Sequence, residues 1–123
     1  MEAEKPLNEK VILLTGASRG IGRAAAIACA KAGAELIITG RTTGALEEVD
    51  DEIKSVGSKS TIVELDSKDL PALPRLAEVI YEKWGRLDGF IANAGQLGQM
   101  SPMPHIEPEA WDETILVNLT SVW

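Results

Sequence analysis

The run Lys10-Val11-Ile12-Leu13-Leu14-Thr15-Gly16-Ala17-Ser18-Arg19-Gly20-Ile21-Gly22 decides how this chain folds. Val11 to Leu14 is an apolar run short enough for a buried strand. Arg23 to Ala32 behind it is alanine-rich and reads as a helix. A glycine-rich turn thus joins a buried strand to a helix. The plain reading is an ordinary strand-to-helix turn; the sharper one is a phosphate site. Glycines let the backbone turn sharply and approach a ligand closely. The unpaired N–H groups and the positive end of the helix dipole then favour an anion.

Working outward, 123 residues are enough for one core and one domain, and 45% apolar residues exclude a disordered chain. A net charge of −7 argues against a nucleic-acid surface, which needs a basic stripe. No apolar run reaches the roughly 18 residues of a membrane span. Met1-Glu2-Ala3-Glu4-Lys5 has no apolar core and is not a secretory signal. Cys29 is the only cysteine, so neither a disulfide framework nor a metal cluster is expected, and a cytoplasmic location is. Residues 1–8 are polar and expected to be loose; residues 9–123 form one domain.

The first strand is expected over about 10–15 and the first helix over about 21–32, stopped by Gly33. Glu35 to Thr39 reads as a second strand and Gly40-Arg41-Thr42-Thr43 as a turn. A helix over about 44–56 carries Leu46, Val49, Ile53 and Val56 on one stripe, with its acids Glu47, Glu48, Asp50, Asp51 and Glu52 on the solvated face. Thr61 to Leu65 is a third strand, closed by Asp66. A helix over about 72–84 ends at Gly85, and Asp88 to Ala92 is a fourth strand. Residues 96–107 form a long loop of the kind that often serves as a functional flap. Pro108 opens a last helix running to Trp123.

Strands alternating with helices predict an α/β fold with a parallel sheet. In the order 3-2-1-4, the crevice opens between strands one and four at their carboxyl ends. A flavodoxin-like order is the alternative.

The turn has the spacing T-G-x-x-x-G-x-G. The embedded Gly20-Ile21-Gly22-Arg23-Ala24-Ala25 also reads G-x-G-x-x-A, but its first glycine falls too far after the strand for the tight turn. With Asn93-Ala94-Gly95 and Val117-Asn118-Leu119, this pattern resembles the short-chain dehydrogenase/reductase family. The resemblance covers nearly all of this chain but only the N-terminal half of a family member. It implies a Rossmann-like sheet and a nicotinamide cofactor held by Thr15, Gly16, Ser18, Arg19, Gly20, Ile21 and Gly22 at the turn. It adds Arg41 after the second strand, Asp66 after the third, and Asn93, Ala94 and Gly95 after the fourth. Asp66 matches the position that accepts from the adenine amino group. Asn118 matches the helix asparagine that supports the family's proton relay. Ala92 stands where the family has the first Asn of N-N-A-G, which leaves the backbone role intact.

A ribose site for NAD needs a carboxylate about 20 residues past the glycines. Ile38-Thr39-Gly40-Arg41 has none, and Gly40 occupies the place where the family's NAD enzymes carry an acid. Arg41 can meet a 2′-phosphate with forked, charged hydrogen bonds, and Arg19 can approach the same group. NADP(H) is therefore expected over NAD(H). The family's chemistry also needs a Ser and a Tyr-x-x-x-Lys. The only tyrosine is Tyr81, in the wrong element, with Gly85 where the lysine should be. His105, the only histidine, reads as a loop residue.

The resemblance thus implies the NADP(H)-binding half of an oxidoreductase that interconverts a small-molecule alcohol and carbonyl. The chain is expected to be truncated after the fourth strand and part of the next helix, and inactive alone. The alternative is a stand-alone nucleotide-binding or regulatory module. Neither nucleic acid, membrane nor metal is expected as a partner. Self-association into a homo-oligomer is, because the fourth strand is left as a sheet edge.

Overall fold

A computed structural model describes residues 5–123. Strands β1 (Val11–Leu14), β2 (Glu35–Gly40), β3 (Ser60–Glu64) and β4 (Gly89–Ile91) alternate with helices α1 (Gly20–Lys31), α2 (Thr43–Ser55), α3 (Ala72–Trp84) and α4 (Pro108–Ile115). All strand pairs are parallel and the order is β3-β2-β1-β4, as the alternation predicts.

Side-chain period two divides β1 and β2 between two layers. Ile12, Leu14, Leu36 and Ile38 pack against Ala26 and Ala30 of α1 and Leu46, Val49 and Ile53 of α2. Val11, Leu13 and Ile37 pack on the other face against Leu65 and against Leu76 and Ile80 of α3. Both faces of β1 are covered, which is why Val11–Leu14 is an unbroken apolar run rather than an alternating one. Methyl-sized side chains at Ala26 and Ala30 let α1 lie close on the sheet. Right-handed crossovers put α1 and α2 on one face and α3 on the other.

Three expectations meet a different structure. The last helix does not run regularly to Trp123. Its α-helical part ends at Ile115 and passes into a π-helical turn over Leu116–Thr120, after which the Ser121 N–H donates to the Leu116 carbonyl at 2.8 Å. The acids of α2 are not simply solvated. Arg23 of α1 bonds Glu52 and lies 3.7 Å from Glu48, while Asp50 pairs with Lys54 at 2.8 Å and accepts from the Ser60 hydroxyl at 2.5 Å. These acids sit where α2 meets α1 and β3, a proximity that helical spacing alone does not contain. Of the stretch 1–8, residues 1–4 lie outside the described residues. Lys5 to Asn8 form a turn anchored by the Leu7 N–H on the Ala32 carbonyl at 2.9 Å, with Leu7 packed on the α1 layer.

β4 pairs only with β1 and, like β3 at the other side, is an edge of the sheet. Its Phe90 is 52% exposed beside an apolar groove of about 660 Å³, lined among others by Leu76, Ile80, Tyr81 and Trp123.

Asp88 fastens the start of β4 to the start of β1. Its N–H donates to the Val11 carbonyl at 2.9 Å, and its carboxylate accepts from the Val11 N–H at 2.8 Å and from Arg86 at 3.1 Å. The Val11 N–H, with Arg86 beside it, holds the Asp88 carboxyl below its ordinary value of 3.8. A carboxyl depressed in the folded state contributes stability above its unfolded value, and that contribution is lost as pH falls through the folded value. The urea midpoint of the wild type should therefore drop more steeply than that of Asp88→Asn between about pH 5 and about pH 3, and the two curves should converge. Parallel curves would remove Asp88 from the acid response.

Candidate functional site

The turn after β1 is built by close approach. Gly16 has φ +68°, and a Cβ there would lie 2.9 Å from Ala94 Cα. Gly22 is buried, and a Cβ on it would fall 2.2 Å from the Gly16 carbonyl oxygen and 2.5 Å from Asn93 Nδ2. Two of the turn's glycines are thus required by space, and Gly16 by φ as well.

Thr15 joins the two strand ends. Its N–H donates to the Ile91 carbonyl at 3.1 Å, and its hydroxyl accepts from the Asn93 and Ala94 N–H groups, both at 3.1 Å. The Asn93 side-chain amide donates back to the Gly16 carbonyl at 3.0 Å. The Ala17 N–H donates to the carbonyl of Thr39 at 3.0 Å, tying the turn to β2. The carboxyl ends of β1, β2 and β4 are thereby locked together, and a cleft of about 610 Å³ opens above them.

Gly16, Ser18, Arg19, Gly20, Ile21, Arg41, Asp66, Asn93, Ala94 and Gly95 all line this cleft. Thr15 and Gly22 stand behind it as clamp and spacer. Asn118 lies beside it in the π-helical turn. Its side-chain oxygen accepts from the Gln96 N–H and its amide donates to the Gln96 carbonyl, both at 2.7 Å. It therefore fixes the strand–loop junction after β4 with its side chain, while its neighbour Val117 lines the cleft. π-Helical turns are rare and recur at functional sites.

The cleft favours an anion. α1 begins at Gly20 with no side-chain cap and no acid in its first turn, so its positive end faces the cleft uncompensated. Arg19 and Arg41 have no ion-pair partner among the described residues, whereas Arg23, Lys54, Lys59, Lys68 and Arg86 are paired. In a chain of 19 acids and 12 bases, two unpaired arginines in one cleft are a set poised for an outside anion. A dinucleotide's phosphates fit this donor set, and Gly20, which lines the cleft with open space where a Cβ would stand, leaves the backbone accessible to them.

Thr39, Ser67 and Lys68 also line the cleft and were not singled out from the sequence. The Lys68 N–H donates to Asp66 Oδ1 at 3.0 Å, so Asp66 shapes the turn that it also ends. Glu113 of α4, 3.0 Å from the Lys68 ammonium, raises the lysine's pKa. An Asp just after a strand, at the head of a loop, is the Asx-turn signal that was there to be read.

His105 is exposed and does not line the cleft; its carbonyl accepts from Gln99 Nε2 at 2.9 Å. Tyr81, 73% exposed, lines the groove beside β4 and not the cleft. Cys29 is half-buried in the α1 layer, and burial pushes its thiol up. Among the described residues no cluster of three His, Cys, Asp or Glu could hold a metal, and no helix is long and apolar enough to cross a membrane.

Residues 10–123 match the sequence model of a family described as short chain dehydrogenase. The uncharacterized oxidoreductase YciK of Escherichia coli (strain K12) is 36% identical over 120 residues, which are 95% of this chain and 48% of the relative. A 3beta-hydroxysteroid dehydrogenase of Mediterraneibacter gnavus is 36% identical over 114 residues, 93% of this chain and 41% of the relative. A protein from Escherichia coli CFT073, described as a short chain dehydrogenase and solved in complex with NADPH, superposes with a TM-score of 0.91 at 35% identity, covering 98% of this chain and 52% of that one. The chain spans about half the length of the curated relatives it matches.

The glycine geometry yields a test. Gly22→Ala should destabilise the chain by roughly 1–3 kcal/mol, because its methyl has only backbone and Asn93 to displace. Gly44, in the first turn of α2, has open space around it, and Gly44→Ala should be neutral or stabilising by up to about 1 kcal/mol. Urea denaturation of both variants checks the contrast; equal effects would mean that Gly22 is not a spacer.

Proposed function

The chain belongs to the short chain dehydrogenase family, and from that premise we propose that its cleft binds NADP(H) in preference to NAD(H). We read it as the cofactor-binding part of an oxidoreductase that interconverts an alcohol and a carbonyl. The observation that carries the preference is Arg41. It lines the cleft without an ion-pair partner among the described residues, directly after Gly40, where a carboxylate would serve a ribose 2′-hydroxyl. Glu64, opposite Gly40 in the sheet, does not line the cleft and accepts from the Thr43 hydroxyl at 3.1 Å. Solved relatives in complex with NADP and NADPH support the same class of cofactor.

In this reading Arg41, with Arg19 beside it, holds the 2′-phosphate through charged, forked hydrogen bonds. Ser18, Gly20 and Ile21 bring the N-terminal end of α1 against the diphosphate. Asp66 accepts from the adenine amino group. Asn93, Ala94 and Gly95 form the floor of the cleft, held by the Thr15 hydroxyl. Asn118 positions the segment after Gly95 through Gln96. The bound cofactor supplies hydride transfer; the chain's residues bind and orient it. The 123 residues hold no Tyr-x-x-x-Lys, and Tyr81 lines a different groove. The second reading is a stand-alone nucleotide-binding or regulatory module without catalysis.

Hydrogen bonds to charged groups contribute roughly 1.5–3 kcal/mol each. Arg41→Ala should therefore weaken NADPH about 10- to 100-fold and leave NADH nearly unchanged, measured by titration calorimetry. Equal losses for both cofactors would defeat the assignment. The free β4 edge and the apolar groove beside it support a second proposal, self-association into a homo-oligomer through that face. Phe90→Lys should lower the association constant in sedimentation equilibrium. A wild-type chain that stays a folded monomer at tens of micromolar speaks against it.

A further inference from the structure

In the loop 96–107 the Gln99 side chain is spent inside the loop. Gln99 donates to the His105 carbonyl at 2.9 Å and accepts from the Glu107 N–H at 2.8 Å, closing the loop on itself around a 3₁₀ turn at Met103–His105. Gln96 is held at both backbone groups by Asn118. Gly98, with φ +76°, lies so near α4 that a Cβ on it would fall 2.3 Å from Thr114 Oγ1. The loop is therefore stitched to the π-helical turn at Gln96, packed against α4 at Gly98 and tied to itself at Gln99.

The apolar side chains are the ones turned outward. Leu97 is 83% exposed and Met100 81%, and both line the cleft. Ile21, 81% exposed on the first turn of α1, lines the same cleft. Single exposed apolar residues are ordinary, but several large ones on one concave surface mark a binding site. From Asn93 to Ile106 there is no Asp, Glu, Lys or Arg, so the charged groups of the cleft, Arg19, Arg41, Asp66 and Lys68, all come from other segments and this wall itself offers no ion-pair partner. The rigid stitching lowers the ordering cost of presenting these side chains.

We propose that Ile21, Leu97 and Met100 form the substrate wall of the cleft, and that the substrate is a ketone or secondary alcohol with a non-polar carbon skeleton. Polyols, hydroxy acids and sugar phosphates are disfavoured. This rests on the reading of the cleft as a nicotinamide-cofactor site.

The chain has three methionines, Met1, Met100 and Met103, so [13C-methyl]methionine labelling gives three signals, with Met100→Leu assigning the relevant one. With NADPH present, 2-tetralone should shift the Met100 signal in a saturable way and dihydroxyacetone should not. Leu97→Ser should weaken the 2-tetralone response about fivefold, the worth of one or two methylenes withdrawn from contact, and Leu97→Met should restore it. A Met100 signal unmoved by 2-tetralone, or moved equally by dihydroxyacetone, overturns the proposal. NADPH binding is measured separately by calorimetry. If it fails, the cofactor reading falls, and the 2-tetralone titration without cofactor still decides whether the wall takes an apolar ligand.

Discussion

The cleft exists because two segments far apart in the chain come together at the ends of β1 and β4. Gly16 leaves room for Ala94, and Gly22 leaves room for the Gly16 carbonyl and the Asn93 amide. One hydroxyl, that of Thr15, then accepts from two backbone N–H groups; the Asn93 N–H also donates to the Ile91 carbonyl, whereas the Ala94 N–H depends on the hydroxyl. Neither element is sufficient alone. A side chain at Gly16 would separate the strands, and loss of the Thr15 oxygen would leave the Ala94 donor unpaired at a cost of about 1–3 kcal/mol.

Around this joint, charge is distributed by contrast. Acids outnumber bases, and among the described residues five of the bases are engaged in ion pairs. The uncompensated positive groups that remain at the cleft are Arg19, Arg41 and the start of α1. An acidic body with a basic cleft concentrates its attraction for anions at one place, and low-dielectric walls strengthen it further.

The sheet order was open to reading because its determinants are local. Apolar runs of four to six residues, helix stripes and glycines at helix ends set the elements, and their strict alternation leaves few topologies. The cleft residues were readable for a similar reason: Gly16, Gly20 and Gly22 carry their meaning in their spacing, and Gly40-Arg41 in its distance from them. What escaped the sequence depends on contact between elements. The Lys68–Glu113 pair joins residues from the β3–α3 loop and α4, and the paired acids of α2 answer to Arg23 and Ser60. The π-helical turn gives no local signal, because Leu116 to Thr120 is as compatible with an α-helix. Asn118 could be placed on the helix, but its grip on both backbone groups of Gln96 appears only once the loop is folded back.

The pairing of β4 with β1 also has a kinetic side. The Thr15 hydroxyl reaches partners 78 and 79 residues further along the chain, and the β1–β2–α2–β3 part can assemble without them. Loop-closure entropy makes such distant pairings slow compared with local ones. The cleft floor is therefore among the last features to form. A nucleotide binds only the completed end state. Its effect on folding then falls on the rate at which finished molecules unfold, not on the rate at which they form.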